Sequence, residues 1–400
     1  MRIHFHSTEE ARRRDVYDRP GAFEDRWFHK ILVALNAPAG WPLGGAIALG
    51  AALIASVGGL WLLTAGAAWA ATLTGGLAVL AGGDALILRS LPRLRLSFGP
   101  ARPQFFILLA PRLAVAALAG LAALWLEPSP LCLGALGVNL LATLALAWGS
   151  LIEPARVDVT HVALPAAPPL SVLHISDLHV ERFGRREEHL LETVAALRPE
   201  LIVVTGDYVN LSCTTDPEAH AAARRVLEQL AAPAGVYATL GSPPVDRWVA
   251  PIFEGLPVRL LRDEGALIEM DGRRRLALLG MDCSHDQEED GRVLAALAAG
   301  APAEAYRVLL YHSPDLMPLA PQVGIDLYLC GHTHGGQIRL PFYGALATSS
   351  KLGKRFEMGH YQSGSTHLYV SRGVGLEGLG APRVRFLCRP EVALFSTDGQ

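Results

Sequence analysis

Long apolar runs fill residues 41–152, whereas shorter apolar runs separated by polar stretches fill the rest of the chain. Between Trp41 and Leu88 the only charged residue is Asp84, and this length is sufficient for two membrane-spanning helices of about 20 residues each. The next apolar region is divided by a turn sequence, Glu127-Pro-Ser-Pro130. The pattern therefore predicts four membrane-spanning helices, at about 43–63, 66–88, 105–126 and 131–152.

Arg112 interrupts the third predicted span. An arginine near a helix end can extend its side chain to the membrane interface, and on this basis we predict that the span is complete. A helix that is only half inserted, or that lies in the interface, is the alternative.

The basic residues predict the orientation in the membrane. They occur before the first span, between the second and third spans, and directly after the fourth: Arg2, Arg12, Arg13, Arg14, Arg19, Arg26, Lys30, Arg89, Arg93, Arg95, Arg102 and Arg156. The other two connections contain none. Because cytoplasmic loops carry an excess of Lys and Arg, we expect a multi-pass protein of the inner (cytoplasmic) membrane, with everything after Ile152 on the cytoplasmic side.

After the spans the pattern changes to that of an α/β domain, in which short apolar runs predict strands and amphipathic stretches predict helices. The predicted strands are 171–175, 201–205, 236–240, 276–280, 306–311, 326–330, 366–371, 383–388 and 392–396, and the predicted helices are 184–197, 217–230 and 287–298. We divide the chain into an N-terminal segment (1–40), a transmembrane region (41–152), a linker (153–169) and a globular domain (170–400). The linker ends in Pro165-Ala-Ala-Pro-Pro169, which is stiff and cannot stay helical.

Aspartate or histidine follows four of the predicted strands. The motifs are Asp177-Leu-His179, Gly206-Asp207, His312 and Gly331-His-Thr-His334. Carboxylate oxygen and imidazole nitrogen are ligands of divalent metals, and ligands collect at the carboxyl ends of strands. Two metals about 3.5–4 Å apart can turn a bound water into hydroxide and hold both oxygens of a phosphoryl displacement. The pattern therefore predicts a metal site that can perform phosphoryl chemistry.

These motifs, in this order, resemble those of the calcineurin-like metallophosphoesterases, over roughly residues 157–400. The longer string Gly331-His-Thr-His-Gly-Gly-Gln337, with Leu368–Gly373 and Arg389–Val392, resembles the membrane-anchored bacterial branch, which includes UDP-2,3-diacylglucosamine pyrophosphatase-type enzymes. The resemblance implies an α/β four-layer sandwich, with two mixed β-sheets flanked by helices, preceded by an all-α four-helix transmembrane region.

The resemblance also implies two divalent metal ions, for which manganese, iron and zinc are the candidates. One ion would be held by Asp177, His179, Asp207 and His334, and the other by Asp207, His312 and His332.

The chain departs from the family at one motif. Where the family has Gly-Asn-His-Asp, this chain has Gly241-Ser-Pro-Pro-Val-Asp246 after the strand at 236–240. The asparagine that would bind the second metal and the histidine that would assist the leaving group are therefore absent. Ser242 can offer a weaker oxygen ligand, Pro243 offers neither ligand nor proton, and His285 is a candidate replacement for the missing acid. The candidate catalytic residues are Asp207, His332 and His285, and Ser242 joins the candidate metal ligands.

Loss of a general acid costs about 10²- to 10⁴-fold in rate, and less when the leaving group is a good one. We therefore predict a membrane-bound phosphohydrolase that cleaves a phosphodiester or pyrophosphate bond. A lipid-linked substrate such as UDP-2,3-diacylglucosamine is an expectation by analogy. The first alternative is a catalytically weakened membrane protein that binds metal or phospholipid. The second is a transport function with a regulatory esterase, for which the spans contain few polar residues.

Composition limits the partners. Hydrophobic residues make up 51% of the chain and charged residues 18%, which agrees with a bilayer as the principal partner. A formal net charge of -3, without a basic and aromatic patch, argues against nucleic acid. Five cysteines without a Cys-x-x-Cys pair agree with a reducing compartment.

Overall fold

The computed structural model describes residues 3–6, 16–18, 27–163, 170–269 and 275–396. It contains two compact units. One consists of Met1–His29, Glu153–Glu377 and Arg385–Gln400, and the other of Lys30–Ile152 and Gly378–Val384. The proline-rich end of the predicted linker, 165–169, lies outside the described residues, as do the N-terminal arginines up to Arg26.

The first part of the chain is helical. Its helices are α1 (Trp27–Leu35), α2 (Leu43–Ala65), α3 (Ala67–Ser90), α4 (Ala101–Ala122) and α5 (Pro128–Ala147), and a π-helical turn extends α5 to Ile152. Within the described residues, α2 to α5 are the four helices that are long and apolar enough to cross a membrane, as predicted. Gly66, with a φ of 88°, separates α2 from α3, and Pro128 occupies the first position of α5, where its missing N–H costs nothing.

The third span is a complete helix, as predicted, but the reason given for it is wrong, because Arg112 does not lie near a helix end. It lies in the middle of α4 and is buried, and its guanidinium contacts a carboxylate oxygen of Asp84 on α3 at 2.7 Å. The same guanidinium donates to the carbonyl oxygen of Asn139 at 2.5 Å and to the hydroxyl of Thr143 at 2.9 Å, both on α5. A charged side chain inside a membrane-spanning segment usually pairs with an opposite charge or with backbone carbonyl oxygens, as Arg112 does here. The helix is continuous from Ala101 to Ala122, which is long enough to cross a membrane.

In its described part, the globular unit contains two main sheets and four α-helices. Its strands are β1 (Ile3–His6), β2 (Asp158–Ala163), β3 (Val172–Ile175), β4 (Leu201–Thr205), β5 (Val236–Thr239), β6 (Val258–Leu260), β7 (Glu264–Glu269), β8 (Arg275–Gly280), β9 (Tyr306–Leu310), β10 (Leu327–Cys330), β11 (Arg339–Leu340), β12 (Gly344–Ala345), β13 (Gly359–Ser363), β14 (Thr366–Val370) and β15 (Glu391–Ser396). Its helices are α6 (Arg185–Leu197), α7 (Pro217–Glu228), the single turn α8 (Pro243–Asp246) and α9 (Gln287–Gly300).

Both main sheets are mixed. One has the order β2-β15-β3-β4-β5-β6 and the other β1-β7-β8-β9-β10-β14-β13, while β11 and β12 form a separate hairpin. The strands β3 to β6 run parallel in the first sheet, and β8, β9, β10 and β14 run parallel in the second. The parallel strands matter most for the site, because their carboxyl ends lie along one edge of each sheet.

Alternation along the strands produces the predicted four layers. Leu201 and Val203 of β4 pack with Leu276 and Leu278 of β8 in the core between the sheets. The intervening residues of β4 pack against α6 and α7, and those of β8 pack against α9. Each sheet is therefore apolar on both faces, as expected of strands that read as continuous apolar runs.

Two segments differ from the sequence-based expectation. Part of the predicted linker is strand β2, which pairs parallel with β15 from Asp158 to Ala163. Residues 383–388 are not a strand, and only Phe386 forms an isolated bridge, with Ile338. The alternation of arginine and apolar residues was misleading because the buried positions are the arginines: Arg385 is fully buried and donates to the carbonyl oxygens of Arg372 and Gly373 at 2.8 and 3.1 Å.

Candidate metal centre

The predicted site residues come together at the carboxyl ends of six strands, three from each sheet. In the first sheet, β3, β4 and β5 lead to Asp177, Asp207 and Ser242. In the second, β8, β9 and β10 lead to His285, His312 and the His332-Thr-His334 loop. The two layers therefore contribute to one site, and every site residue predicted from the sequence is buried there.

The backbone turns sharply directly after these strands. Left-handed backbone occurs at five of the seven predicted ligands and also at His285: Asp177 (φ 52°), His179 (41°), Asp207 (55°), His332 (68°), His334 (52°) and His285 (60°). Left-handed backbone costs a residue with a side chain about 1–3 kcal/mol and concentrates at functional sites. The strain is retained because it turns short Asp and His side chains toward a common point.

Glycines permit the strand ends to approach one another. A Cβ at Gly331 would lie 1.9 Å from a carboxylate oxygen of Asp177, and one at Gly373 would lie 2.6 Å from the Asp177 Cβ. Both positions therefore need glycine for space, because any side chain there would displace Asp177.

The first ligand cluster contains Asp177, His179, Asp207 and His334. The Nε2 atoms of His179 and His334 lie 3.0 Å apart. His179 Nε2 is 3.5 Å from Asp207 Oδ2, and His334 Nε2 is 3.5 Å from Asp177 Oδ1. Four ligand atoms from three loops thus surround one small volume.

The second cluster contains Asp207, His312 and His332. His312 Nε2 lies 3.2 Å from Asp207 Oδ2, and its Nδ1 is 2.8 Å from the carbonyl oxygen of Thr205, which fixes the ring orientation. Asp207 belongs to both clusters, and its Oδ1 accepts a hydrogen bond of 2.7 Å from the amide of Ser242. Asp207 is therefore the residue that links them.

Protonation shows the charge imbalance of the centre. Burial lowers the pKa of His312, but the Asp207 carboxylate outweighs burial and raises it to about 10. Burial also opposes the proton on His179, yet Glu377, Asp207 and Asp177 together raise its pKa. In contrast, burial and the neighbouring His179 lower the pKa of His334. The carboxylates of the centre therefore favour a nearby positive charge, but the facing rings of His179 and His334 cannot both be protonated, because the two charges would repel each other.

The donor set fits divalent metal. Two buried carboxylates and four imidazoles share the volume, and the close pair His179 and His334 directs two ring nitrogens at the same point. A bound cation relieves this arrangement because it accepts lone pairs from both rings and balances both carboxylates.

Comparison with known proteins agrees with this geometry. Residues 170–336 match the calcineurin-like phosphoesterase family. The phosphodiesterase YaeI of Escherichia coli is 32% identical over 243 residues, which make up 57% of this chain and 82% of YaeI. This chain belongs to the calcineurin-like metallophosphoesterases. The uncharacterized metallophosphoesterase YkuE of Bacillus subtilis is 29% identical, over 61% of this chain and 87% of YkuE. A bovine transmembrane protein with a metallophosphoesterase domain is 28% identical, over 57% of this chain and 54% of that protein.

Metallophosphoesterases of this family use divalent metals, and the clusters around Asp207 can hold them. The segment that departs from the family pattern lies at the same place. Ser242 Oγ is 3.0 Å from His285 Nε2 and 3.4 Å from His332 Nδ1. The structure thus brings Ser242 and His285 to the second cluster, while Pro243 begins the short helix α8.

Asp246 supports this metallophosphoesterase site from behind. Its carboxylate accepts hydrogen bonds from the amides of Asp207 (2.8 Å), Tyr208 (3.0 Å) and Gly241 (2.7 Å). Burial, together with the Asp207 charge, raises the pKa of Asp246 to about 7. The residue that ends the altered motif therefore holds two of the site loops together and does not face the ligand clusters.

Sequence reasoning missed Glu377. One of its carboxylate oxygens lies 3.1 Å from His179 Nδ1, on the side of the ring opposite the cluster. Glu377 also exchanges two hydrogen bonds with Gln337: its amide donates to Gln337 Oε1 at 2.9 Å, and Gln337 Nε2 donates to its carbonyl oxygen at 2.8 Å. Metal-binding histidines commonly donate their second ring N–H to such a carboxylate. The only signal in the sequence was Gln337 at the end of the two-histidine motif.

Proposed function

We propose that this protein is a two-metal phosphohydrolase of the inner membrane, with its globular unit on the cytoplasmic side, that cleaves phosphoanhydride or similarly activated phosphate bonds. The observation that carries the proposal is the presence of two buried ligand clusters that share Asp207. A pair of divalent ions, when bound, supplies a hydroxide nucleophile and neutralises charge on the phosphoryl group. Manganese, iron and zinc suit a set of carboxylates and imidazoles.

Residues of the chain position the ligands and supply the proton for the leaving group. Asp207 links the two clusters, and the carbonyl oxygen of Thr205 holds the His312 ring in place. His285 is the buried imidazole closest to the altered motif, and Ser242 Oγ at 3.0 Å orients its Nε2. We assign to His285 the proton that the absent family histidine would give to the leaving group.

The substrate class follows from the altered motif. A phosphate leaving group needs less protonation than an alkoxide, so a site with a displaced acid favours diphosphates. Four apolar helices in the same chain support a substrate with a lipid part, such as UDP-2,3-diacylglucosamine. YaeI is named a phosphodiesterase, which supports the reaction class and leaves the substrate as our proposal.

The test uses the purified full-length protein with added manganese. We expect a nucleoside diphosphate ester to be cleaved faster than a simple alkyl phosphodiester, and Asp207→Asn to abolish both activities. His285→Gln should slow the alkyl ester by about 10²-fold or more and the diphosphate by less. His189→Gln, an exposed histidine of α6, is the matched control and should change neither rate. Equal rates on both substrates would contradict the preference, and equal losses in His285→Gln would contradict the assigned role.

A second candidate is a metal-binding membrane protein with little turnover. It is favoured by Ser242 and Pro243 in place of the asparagine and histidine of the family. Metal bound at full occupancy, without turnover of any of these substrates, would establish it in place of the hydrolase.

A further inference from the structure

The hairpin of β11 and β12 exposes a cluster of apolar side chains, the apolar tip, which consists of Leu340, Phe342, Tyr343 and Leu346. Their exposed fractions are 44%, 110%, 59% and 50%. Soluble surfaces seldom hold adjacent apolar side chains so fully exposed, and such patches usually mark a contact with a protein or a membrane. The tip thus calls for a partner outside the described fold.

Backbone geometry shows that the exposure is held in place. Phe342 has a φ of 65°, a conformation that turns normally reserve for glycine or asparagine. A bulky apolar residue in that conformation, with no contact to stabilise it, weakens the fold and gains nothing inside it. The exposed position of the Phe342 side chain is therefore better explained by a contact with a partner outside the described fold.

Basic side chains surround the apolar tip. Lys354 donates to the carbonyl oxygen of Tyr343 at 2.7 Å, and its ammonium lies 3.6 Å from the centre of the Tyr343 ring. Lys351 and Arg355, three residues before and one residue after Lys354 in the chain, are also exposed. The acidic residue nearby, Glu357, pairs with both Arg339 (2.9 Å) and Lys354 (3.4 Å), so these three side chains together carry one net positive charge. The surface thus combines apolar and aromatic groups with excess positive charge.

The hairpin is fixed to the metal centre at both ends. It leaves the two-histidine loop at Gly336, where a Cβ would lie 2.4 Å from the Cβ of Ala345 in β12. The chain returns at Ser349, whose carbonyl oxygen lies 3.3 Å from His332 Nε2. Whatever the tip contacts is therefore held at the rim of the ligand clusters.

We propose that the apolar tip inserts into the headgroup region of an anionic phospholipid bilayer, the one in which the helices of the same chain lie. Tyrosine and phenylalanine beside lysine and arginine are the residues that interfacial segments use: aromatic rings enter the boundary of the acyl chains and cations meet lipid phosphates. The same chain contains four helices that are long and apolar enough to cross a membrane. The contact presents the metal centre to molecules anchored in the lipid, and it does not depend on hydrolysis.

Tryptophan fluorescence tests the insertion in the full chain. The Phe342→Trp protein is reconstituted into nanodiscs, with phosphatidylcholine alone or with added phosphatidylglycerol, and with or without brominated acyl chains. The signal of the seven native tryptophans is subtracted using the wild-type chain. We expect the added tryptophan to emit at shorter wavelength in anionic discs and to lose about half of its emission to brominated lipid. His189→Trp, an exposed position on α6, is the matched control and should lose none.

The basic residues are tested in the same background. Replacing Lys351 and Arg355 with glutamine should reduce quenching in anionic discs and leave it unchanged in phosphatidylcholine. Emission of Phe342→Trp typical of water, or quenching of the control to the same extent, would overturn the proposal. A shift to shorter wavelength without quenching would show that a protein surface, such as a second copy of the chain, covers the tip, and would also overturn it.

Discussion

The contact between Glu377 and His179 gives a quantitative prediction about metal affinity. Glutamine at position 377 keeps the shape of the side chain but replaces a carboxylate with a neutral amide. The hydrogen bond of a charged group contributes about 1.5–3 kcal/mol and that of a neutral pair about 0.5–1.5 kcal/mol. The midpoints of these ranges differ by about 1.2 kcal/mol, which corresponds to about eightfold weaker metal binding. Alanine at position 377 removes the contact entirely and should weaken binding by up to about 100-fold.

The chain offers a matched control at Glu264. The Glu264 carboxylate lies 3.1 Å from the guanidinium of Arg259, and 19% of the Glu264 side chain is exposed. Glu377 is similar, because its carboxylate lies 3.1 Å from His179 Nδ1 and 20% of its side chain is exposed. Manganese binding is measured by isothermal titration calorimetry on metal-stripped full-length protein, and metal content by elemental analysis. We expect Glu377→Gln to bind manganese more weakly while Glu264→Gln binds it as the wild type does. Equal affinities in Glu377→Gln and the wild type would refute the reasoning, since the carboxylate would then not support the His179 ring.

Three further predictions concern Gly331, the ion pair between Asp84 and Arg112, and His174, a buried residue of β3 whose Nε2 lies 2.7 Å from the hydroxyl of Thr205. Gly331→Ala places a methyl group 1.9 Å from Asp177 Oδ2, so we expect at least about tenfold weaker metal binding by calorimetry, and unchanged binding would contradict the close approach. Asp84→Asn leaves Arg112 without a counter-charge and should cost about 3–5 kcal/mol in detergent unfolding, whereas adding Arg112→Leu should recover most of it; additive losses would argue against the pair. Burial lowers the pKa of His174 to about 3, below its unfolded value, so the unfolded chain binds more protons between these values. The free energy of unfolding should therefore fall by up to about 1.4 kcal/mol per pH unit as the pH drops below about 6.5. Denaturant titrations at several pH values should show a smaller slope for His174→Gln.

The ligands of the centre could be predicted from the sequence because each follows a strand that is recognisable locally. An apolar run such as 201–205 predicts a buried strand, and the aspartate two residues later is then placed at the end of that strand. The position of each ligand relative to its own strand was enough to predict the site, because the parallel strands bring their carboxyl ends together. The helices α2 to α5 were equally accessible, because hydropathy over twenty residues does not depend on the neighbouring helices.

Contacts between distant segments could not be predicted in this way. Glu377 follows no strand, and its loop is held near His179 by distant residues: Arg385 donates to carbonyl oxygens of the loop, and Gln337 bonds to the Glu377 backbone. Arg112 and Asp84 are on different helices, and only helix packing makes them partners. The incorrect strand prediction at 383–388 has the same origin. The alternation of arginine and apolar residues does not show that the arginines are the buried residues, because Arg385 is buried through hydrogen bonds to carbonyl oxygens of a distant loop.

The ion pair between Asp84 and Arg112 also constrains how the chain enters a bilayer during synthesis. Helix α3 leaves the ribosome before α4, so the aspartate would meet lipid alone if each helix partitioned separately, at a cost of about 2.5–3.5 kcal/mol for a charge at the centre of a span. Release of α3 and α4 together from the insertion machinery, as a neutral hairpin, avoids this cost. The pair thus sets the order of assembly, and a nascent chain truncated before Arg112 should remain bound to the translocation channel.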